Sequence, residues 1–250
     1  MASEIRDDVF DEIDRLQQEI IKLRPFSENM LKQLKEYYRV GLTYSSNAIE
    51  GNSLTLSETK VVLEDGLTVG GKPLKDHLEA RGHSDAYDWL YELVEKGGIA
   101  EDDILRMHYL FYRLLDEQEA GKYRRSARMV TGTDFVFPGP GEVPCLMAKF
   151  VEKMKINEGC FHPVEWAAKV HTDFATILPF AEGNGRVARL LMNLTLFKES
   201  FPITIIPPVR RVEYITAVRK ANRGDDKEFV RLIASCVKES QRELLRFFKS

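Results

Sequence analysis

Apolar side chains recur at three- and four-residue steps along almost the whole chain, and that period calls for a helical protein. Ile5, Val9, Ile13, Leu16, Ile20 and Leu23 form one stripe within residues 4–24, which Pro25 ends. A second helix is expected over 28–49, with Leu31, Leu34, Tyr38 and Leu42 on one face and Gly51 just past its end. Thr55 and Glu58 make a capping-box pattern that opens a short helix through Leu63. Asp76 and Glu79 repeat it before a helix to about Lys96, and Asp103 precedes the stripe Ile104, Met107, Phe111, Leu115. Further helices are predicted at 144–157, 163–177, 186–198, 209–222 and 226–247. One stretch departs from the helical period. Residues 128–137 are rich in β-branched and aromatic types, and Pro138-Gly-Pro-Gly141 is a turn signal. The pattern predicts a β-hairpin, with Glu142-Val143 as its short return strand, inserted into a mainly α fold.

With 44% of 250 residues apolar, the chain can build a core without staples. No repeat, low-complexity segment or long linker divides it, so residues 1–65 and 66–250 are expected to form one compact unit. Charge is uneven. Residues 1–100 carry 12 basic and 19 acidic side chains, whereas residues 201–250 carry 11 and 6. This suggests an acidic front docking on a basic rear. The net charge of −3 argues against a nucleic-acid partner. Cys145, Cys160 and Cys236 give neither a disulfide framework nor a metal spacing, which favours a reducing, cytoplasmic setting. No apolar run reaches the ~20 residues of a membrane span, and the acidic N-terminus is unlike a signal peptide.

The chemistry concentrates in Leu178-Pro-Phe-Ala-Glu-Gly-Asn-Gly-Arg-Val-Ala-Arg189. A loop with glycines on both sides of an asparagine, running into a helix N-terminus, can converge backbone N–H groups on an anion. Arg186 and Arg189 are three apart and can share one side of the following helix. Two guanidinium forks beside such a loop suit a di- or triphosphate. Glu182 could hold a hard divalent cation against those phosphates.

This segment resembles the signature of the Fic domain (filamentation induced by cAMP), His-Pro-Phe-x-(Asp/Glu)-Gly-Asn-Gly-Arg-x-x-Arg. The resemblance spans roughly residues 40–240 and includes Ala48-Ile-Glu-Gly-Asn-Ser-Leu-Thr-Leu-Ser-Glu58, Gly121-Lys-Tyr-Arg124 and Ala221-Asn-Arg-Gly-Asp225. It implies a Fic-type helical bundle that transfers AMP from ATP, with Mg²⁺, onto a hydroxyl of a target protein; some members use other donors or remove AMP. By resemblance, Glu182 would hold Mg²⁺. Gly183, Asn184, Gly185 and Arg186 would cradle phosphates, and Arg189 would take the γ-phosphate. The wall from Tyr214 to Asn222 would receive adenine. Val130, Thr131, Gly132 and Thr133 would belong to a hairpin flap that docks the target as an added strand. Related proteins often dimerise, and the apolar faces of the N-terminal helices are compatible with a homodimer.

The family's motif begins with a histidine that serves as general base, and Leu178 stands there. Leucine cannot accept a proton, and loss of a placed base typically costs ~10²–10⁴-fold in rate. None of the five histidines replaces it: His171 and His108 fall on apolar helix faces, and His77, His83 and His162 lie near helix starts or loops. Ser46-Asn-Ala-Ile-Glu50-Gly51 resembles the family's inhibitory pattern, (Ser/Thr)-x-x-x-Glu-(Gly/Asn). The expected brake is a two-pronged pairing of Glu50 with Arg189. Four readings follow: an adenylyltransferase that has lost its base, a nucleotide-binding pseudoenzyme, a transferase or AMP-removing enzyme with other requirements, and an interaction module.

Overall fold

The computed structural model describes residues 4–129, 133–156 and 159–248. Its helices are α1 (Glu4–Lys22), α2 (Glu28–Ile49), α3 (Leu56–Lys60) running into a π-helical turn (Val61–Asp65), α4 (Leu74–Lys96), α5 (Glu101–Tyr112), α6 (Val143–Ile156), α7 (Pro163–Ile177), α8 (Asn184–Lys198), α9 (Arg211–Ala221) and α10 (Lys227–Phe247). Local chemistry explains most boundaries. Ser27 Oγ accepts from Met30 N at the start of α2, and Gly51 leaves that helix at φ +98°. Thr55 and Glu58 complete the capping box of α3 in both directions.

Two predicted starts move. Helix α4 begins at Leu74, so Asp76 lies within its first turn and accepts from Ser53 N (2.7 Å) and Ser53 Oγ (2.6 Å). Helix α5 begins at Glu101, where Asp103 accepts from Ala100 N at 2.8 Å. The predicted residue is the cap in the second case, but it acts from inside the helix.

The β-hairpin is not formed: among the described residues there is no strand. Val143, expected in a return strand, is fully buried and opens α6. Glu142 accepts from Gly139 N at 2.6 Å, turning the Pro138–Gly141 segment directly into that helix. One side chain anchors this segment at its two ends and ties it to the loop after α7. Arg124, 2% exposed, donates to Ser126 O (3.0 Å), Pro138 O (2.5 Å) and Leu178 O (2.7 Å). Thr133 lies in this irregular segment, whereas Val130, Thr131 and Gly132 lie outside the described residues.

Helices α7 and α8 form the centre, and α8 is buried on nearly all sides from Asn184 to Leu196. One core cluster joins Tyr38, Tyr87, Met107, Phe111, Phe174, Phe180 and Leu190. A second joins Ile13, Ile49, Val164, Met192, Phe229 and Ile233. The acidic front does meet the basic rear: α1 packs on α10, with Glu12 contacting Lys238 (3.3 Å) and Arg242 (2.7 Å). No helix among the described residues is long and apolar enough to cross a membrane.

Helices α4 and α5 approach closest at Gly82, where an added Cβ would stand 2.1 Å from Phe111 O. Neither backbone can yield without moving the other helix. Gly82→Ala is therefore expected to cost about 2–3 kcal/mol or more in urea unfolding, and a loss below about 0.5 kcal/mol would show the packing to be looser than described.

Candidate functional site

The loop between α7 and α8 is pinned from both sides. Leu178 ends α7 in the left-handed region (φ +50°, ψ 59°), a conformation that is uncommon for a non-glycine residue. It is held there by Leu178 N donating to Phe174 O (3.1 Å) and by Arg124 Nε donating to its carbonyl. Phe180 is fully buried and stacks on His108 with ring centroids 3.8 Å apart. Asn184, expected in an anion cradle, turns its side chain back onto the loop. It accepts from Phe180 N (2.9 Å) and donates to Phe180 O (2.8 Å). Gly183 is at φ +79°, and a Cβ there would meet the Phe111 ring at 2.7 Å.

His108 and His171 behave as the helical spacing suggests, whereas His83, expected near a helix start or loop, lies inside α4, fully buried with Nδ1 3.1 Å from Thr43 Oγ1. Gly121 N donates to His108 Nδ1 (3.0 Å), so the imidazole donates from Nε2 to Glu182 O (3.1 Å). Burial pushes its pKa down to about 4, so this ring is a neutral brace for the loop. His171 is fully buried on α7, with Nε2 2.9 Å from the Tyr214 hydroxyl.

Arg189 on α8 is 2% exposed, and each guanidinium nitrogen has a partner. Nε donates to Ser46 Oγ (2.9 Å), and Nη2 to Ser46 O (2.8 Å) and Glu50 Oε1 (2.9 Å). Nη1 donates to the Tyr214 hydroxyl (2.9 Å). Tyr214, expected on an adenine wall, is buried in this network. The Glu50 contact is single-pronged rather than two-pronged, because Ser46 engages Nε and Nη2 and Tyr214 engages Nη1. Removal from water raises the Glu50 carboxyl pKa. The charges of Arg189 and Arg186, the Arg189 hydrogen bond and the Arg211 charge outweigh that effect and hold it below the usual carboxylate range. Glu50 also lies against the first turn of α8: a Cβ on Gly185 would stand 2.4 Å from Glu50 Oε1. A carboxylate thus sits where the helix N-terminus favours an anion.

Arg186 is directed elsewhere. It is 7% exposed, pairs with Glu79 Oε1 at 3.0 Å and lies 4.4 Å above the Phe111 ring. Glu79, also buried, accepts from Asn52 Nδ2 at 2.9 Å. Its capping-type spacing in the sequence concealed this long-range role.

An open cleft of about 450 Å³ lies beside the loop. Leu178, Phe137, Ile215 and Val218 supply apolar lining, and Glu50, Arg128, Glu182, Arg186, Arg211 and Asn222 supply polar lining. Thr133, Tyr214, Arg219 and residues 183–185 also line it, so the sequence-predicted positions among the described residues converge, while Arg189 stays behind Glu50. Asn222 Oδ1 accepts from Thr176 Oγ1 at 3.1 Å. Two lining residues were missed from the sequence. Arg211 donates from Nε to Ile49 O (2.6 Å), fastening the last turn of α2. Arg128 Nη2 contacts Glu182 Oε1 (3.2 Å) and the Ala181 carbonyl. Only the basic run Lys122–Arg128 hinted at it. No group of three or more His, Cys, Asp or Glu side chains among the described residues is placed to hold a metal ion.

The profile of the Fic/DOC family matches residues 98–196. A protein adenylyltransferase Fic of Drosophila grimshawi is 39% identical over 199 residues, 79% of this chain and 41% of that protein. The corresponding Drosophila melanogaster protein is 36% identical over 216 residues, 86% of this chain and 44% of that one. The chain therefore spans less than half the length of these curated relatives. The solved structure of Fic-1 (residues 134–508) from C. elegans superposes with a TM-score of 0.90 at 30% identity, covering 99% of this chain and 74% of that one. A Fic domain containing signaling protein from Bacteroides thetaiotaomicron gives 0.83 at 27% identity, covering 92% and 94%. By sequence and by fold, the chain belongs to the Fic/DOC family.

Proposed function

We propose that this chain is a Fic-type nucleotide-binding protein, built for AMP transfer from ATP to a target-protein hydroxyl, restrained by Glu50 and impaired in transfer by leucine at 178. The observation that carries the reading is the 2.9 Å contact of Glu50 Oε1 with Arg189 Nη2, set in a guanidinium network with Ser46 and Tyr214 at the rim of the cleft. The relatives named protein adenylyltransferase Fic support the reaction class.

The residues fit a nucleotide. The cleft falls within the usual range of ligand pockets. Gly185 keeps the start of α8 open to an anion, since its Cβ would intrude on the position Glu50 occupies. The apolar wall of Ile215 and Val218 suits a base, with Asn222 beside it. The Glu182 side chain is 62% exposed on the cleft and is the carboxylate that would hold Mg²⁺. When bound, the ion would neutralise phosphate charge and polarise the α-phosphate.

In this reading Glu50 competes with a phosphate for one guanidinium. While Arg189 donates to Ser46, Tyr214 and Glu50, the γ-phosphate meets a carboxylate in front of it. Once Glu50 leaves, the Ser46 and Tyr214 contacts keep Arg189 aimed at the vacated place. Leu178 presents a hydrocarbon chain where the attacking hydroxyl would need a proton acceptor, so transfer stays slow even with nucleotide correctly seated. The same lack would impair AMP removal. A binding role without chemistry is thus the second reading, and Leu178 is the residue that favours it.

Glu50→Gly is expected to tighten ATP·Mg binding about tenfold or more by calorimetry, because it removes a carboxylate from the phosphate position and frees a charged donor. Unchanged affinity would end the brake. Leu178→His should be tolerated, since histidine accepts the left-handed backbone better than leucine. Combined with Glu50→Gly, it is expected to raise transfer of labelled AMP by about 10²-fold or more over Glu50→Gly alone. A silent double variant that still binds ATP would leave the binding role as the function.

A further inference from the structure

The cleft already contains a cation at the carboxylate that would hold the metal. Arg128 reaches across from the segment before α6, and its Nη2 contacts both Glu182 Oε1, at 3.2 Å, and the carbonyl of Ala181. Both side chains line the cleft beside Gly183 and Gly185. Enclosure and exposure separate Arg128 from the two arginines of the motif. Arg189 is enclosed by Ser46, Glu50 and Tyr214, and Arg186 by Glu79 and Phe111. The Arg128 side chain is 34% exposed, and its partner Glu182 is 62% exposed. The pair faces solvent, and ion pairs of that kind are weak.

Two consequences follow from charge alone. A divalent ion at Glu182 would have to displace Arg128 or lie beside it, and two cations sharing one carboxylate repel. A polyphosphate, by contrast, carries more charge than a single carboxylate and matches the planar guanidinium fork. It can draw Arg128 off Glu182 over a short distance, because the two already share the cleft. Resting on the nucleotide reading above, we propose that Arg128 is the resident counter-cation of this site: the chain binds the nucleotide's polyphosphate through Arg128 without requiring a divalent metal, and Glu182 parks that guanidinium when the cleft is empty.

The test is calorimetric titration of ATP into the Glu50→Gly chain, in EDTA and in Mg²⁺. Binding in EDTA is expected within about threefold of binding in Mg²⁺. Adding Arg128→Gln should weaken binding in EDTA about tenfold or more, with a smaller loss in Mg²⁺, as expected for removal of a charge-assisted phosphate contact. Adding Glu182→Gln should leave binding in EDTA equal or tighter, because it releases Arg128, and should cost less than about threefold in Mg²⁺, where a metal-dependent site would lose affinity about tenfold or more. Binding in Mg²⁺ but not in EDTA would overturn the proposal and leave the nucleotide reading standing. Unchanged binding in EDTA after Arg128→Gln would also overturn it, reducing Arg128 to a brace on the Ala181 carbonyl. If folded Glu50→Gly protein binds ATP in neither buffer, the nucleotide reading fails and this proposal fails with it.

Discussion

A guanidinium buried to 2% exposure must have its donors satisfied, and much of the site is organised around meeting that demand for Arg189. The partners come from distant parts of the chain. Ser46 and Glu50 come from the end of α2, and Tyr214 comes from α9 and is itself tied to His171 on α7. One side chain thus joins four helices. Three of its four contacts are to groups that need not move. The fourth is to Glu50, whose side chain is 38% exposed and carries the negative charge. The network therefore divides into a fixed part that orients the arginine and one replaceable part at the cleft.

The replaceable part rests on further fastenings. Arg211 holds the Ile49 carbonyl, just before Glu50. Asn52, just after Gly51, reaches Glu79, and Glu79 holds Arg186. The two motif arginines are thus both tied to the turn at the end of α2, one directly and one through α4. Displacing Glu50 from Arg189 changes one hydrogen bond and leaves these attachments in place. The loop itself is rigid for a separate reason: Arg124, His108 and Asn184 take up its backbone groups from three directions. That rigidity also imposes the left-handed backbone on Leu178.

Much of this was legible in the sequence, and its limits have physical causes. Helical period and capping residues located the helices, because both are local. The loop, Glu50 and Arg189 were legible because their motifs lie in short contiguous runs. The hairpin was misread because β-branched and aromatic residues mark extended backbone whether or not a partner strand exists. Here the segment turns straight into α6 at Val143 and meets no partner strand among the described residues. The pairing of Glu79 with Arg186 and of Arg128 with Glu182 left no pattern, since each joins residues far apart in the chain. Asn184, expected in a phosphate cradle by resemblance, lines the cleft, but the role of its side chain in closing the loop on itself left no pattern in the sequence.

The central claim is that Arg189 is withheld from the cleft by Glu50 and is otherwise aimed at it. A thermodynamic cycle on ATP affinity tests this most directly, comparing Arg189→Gln in the native and Glu50→Gly backgrounds by calorimetry, with thermal melts confirming that each variant is folded. The account predicts strong non-additivity: Arg189→Gln changes affinity less than about threefold when Glu50 is present and weakens it about tenfold or more when Glu50 is absent. Equal losses in the two backgrounds would contradict it, because they would show Arg189 engaging the nucleotide regardless of Glu50.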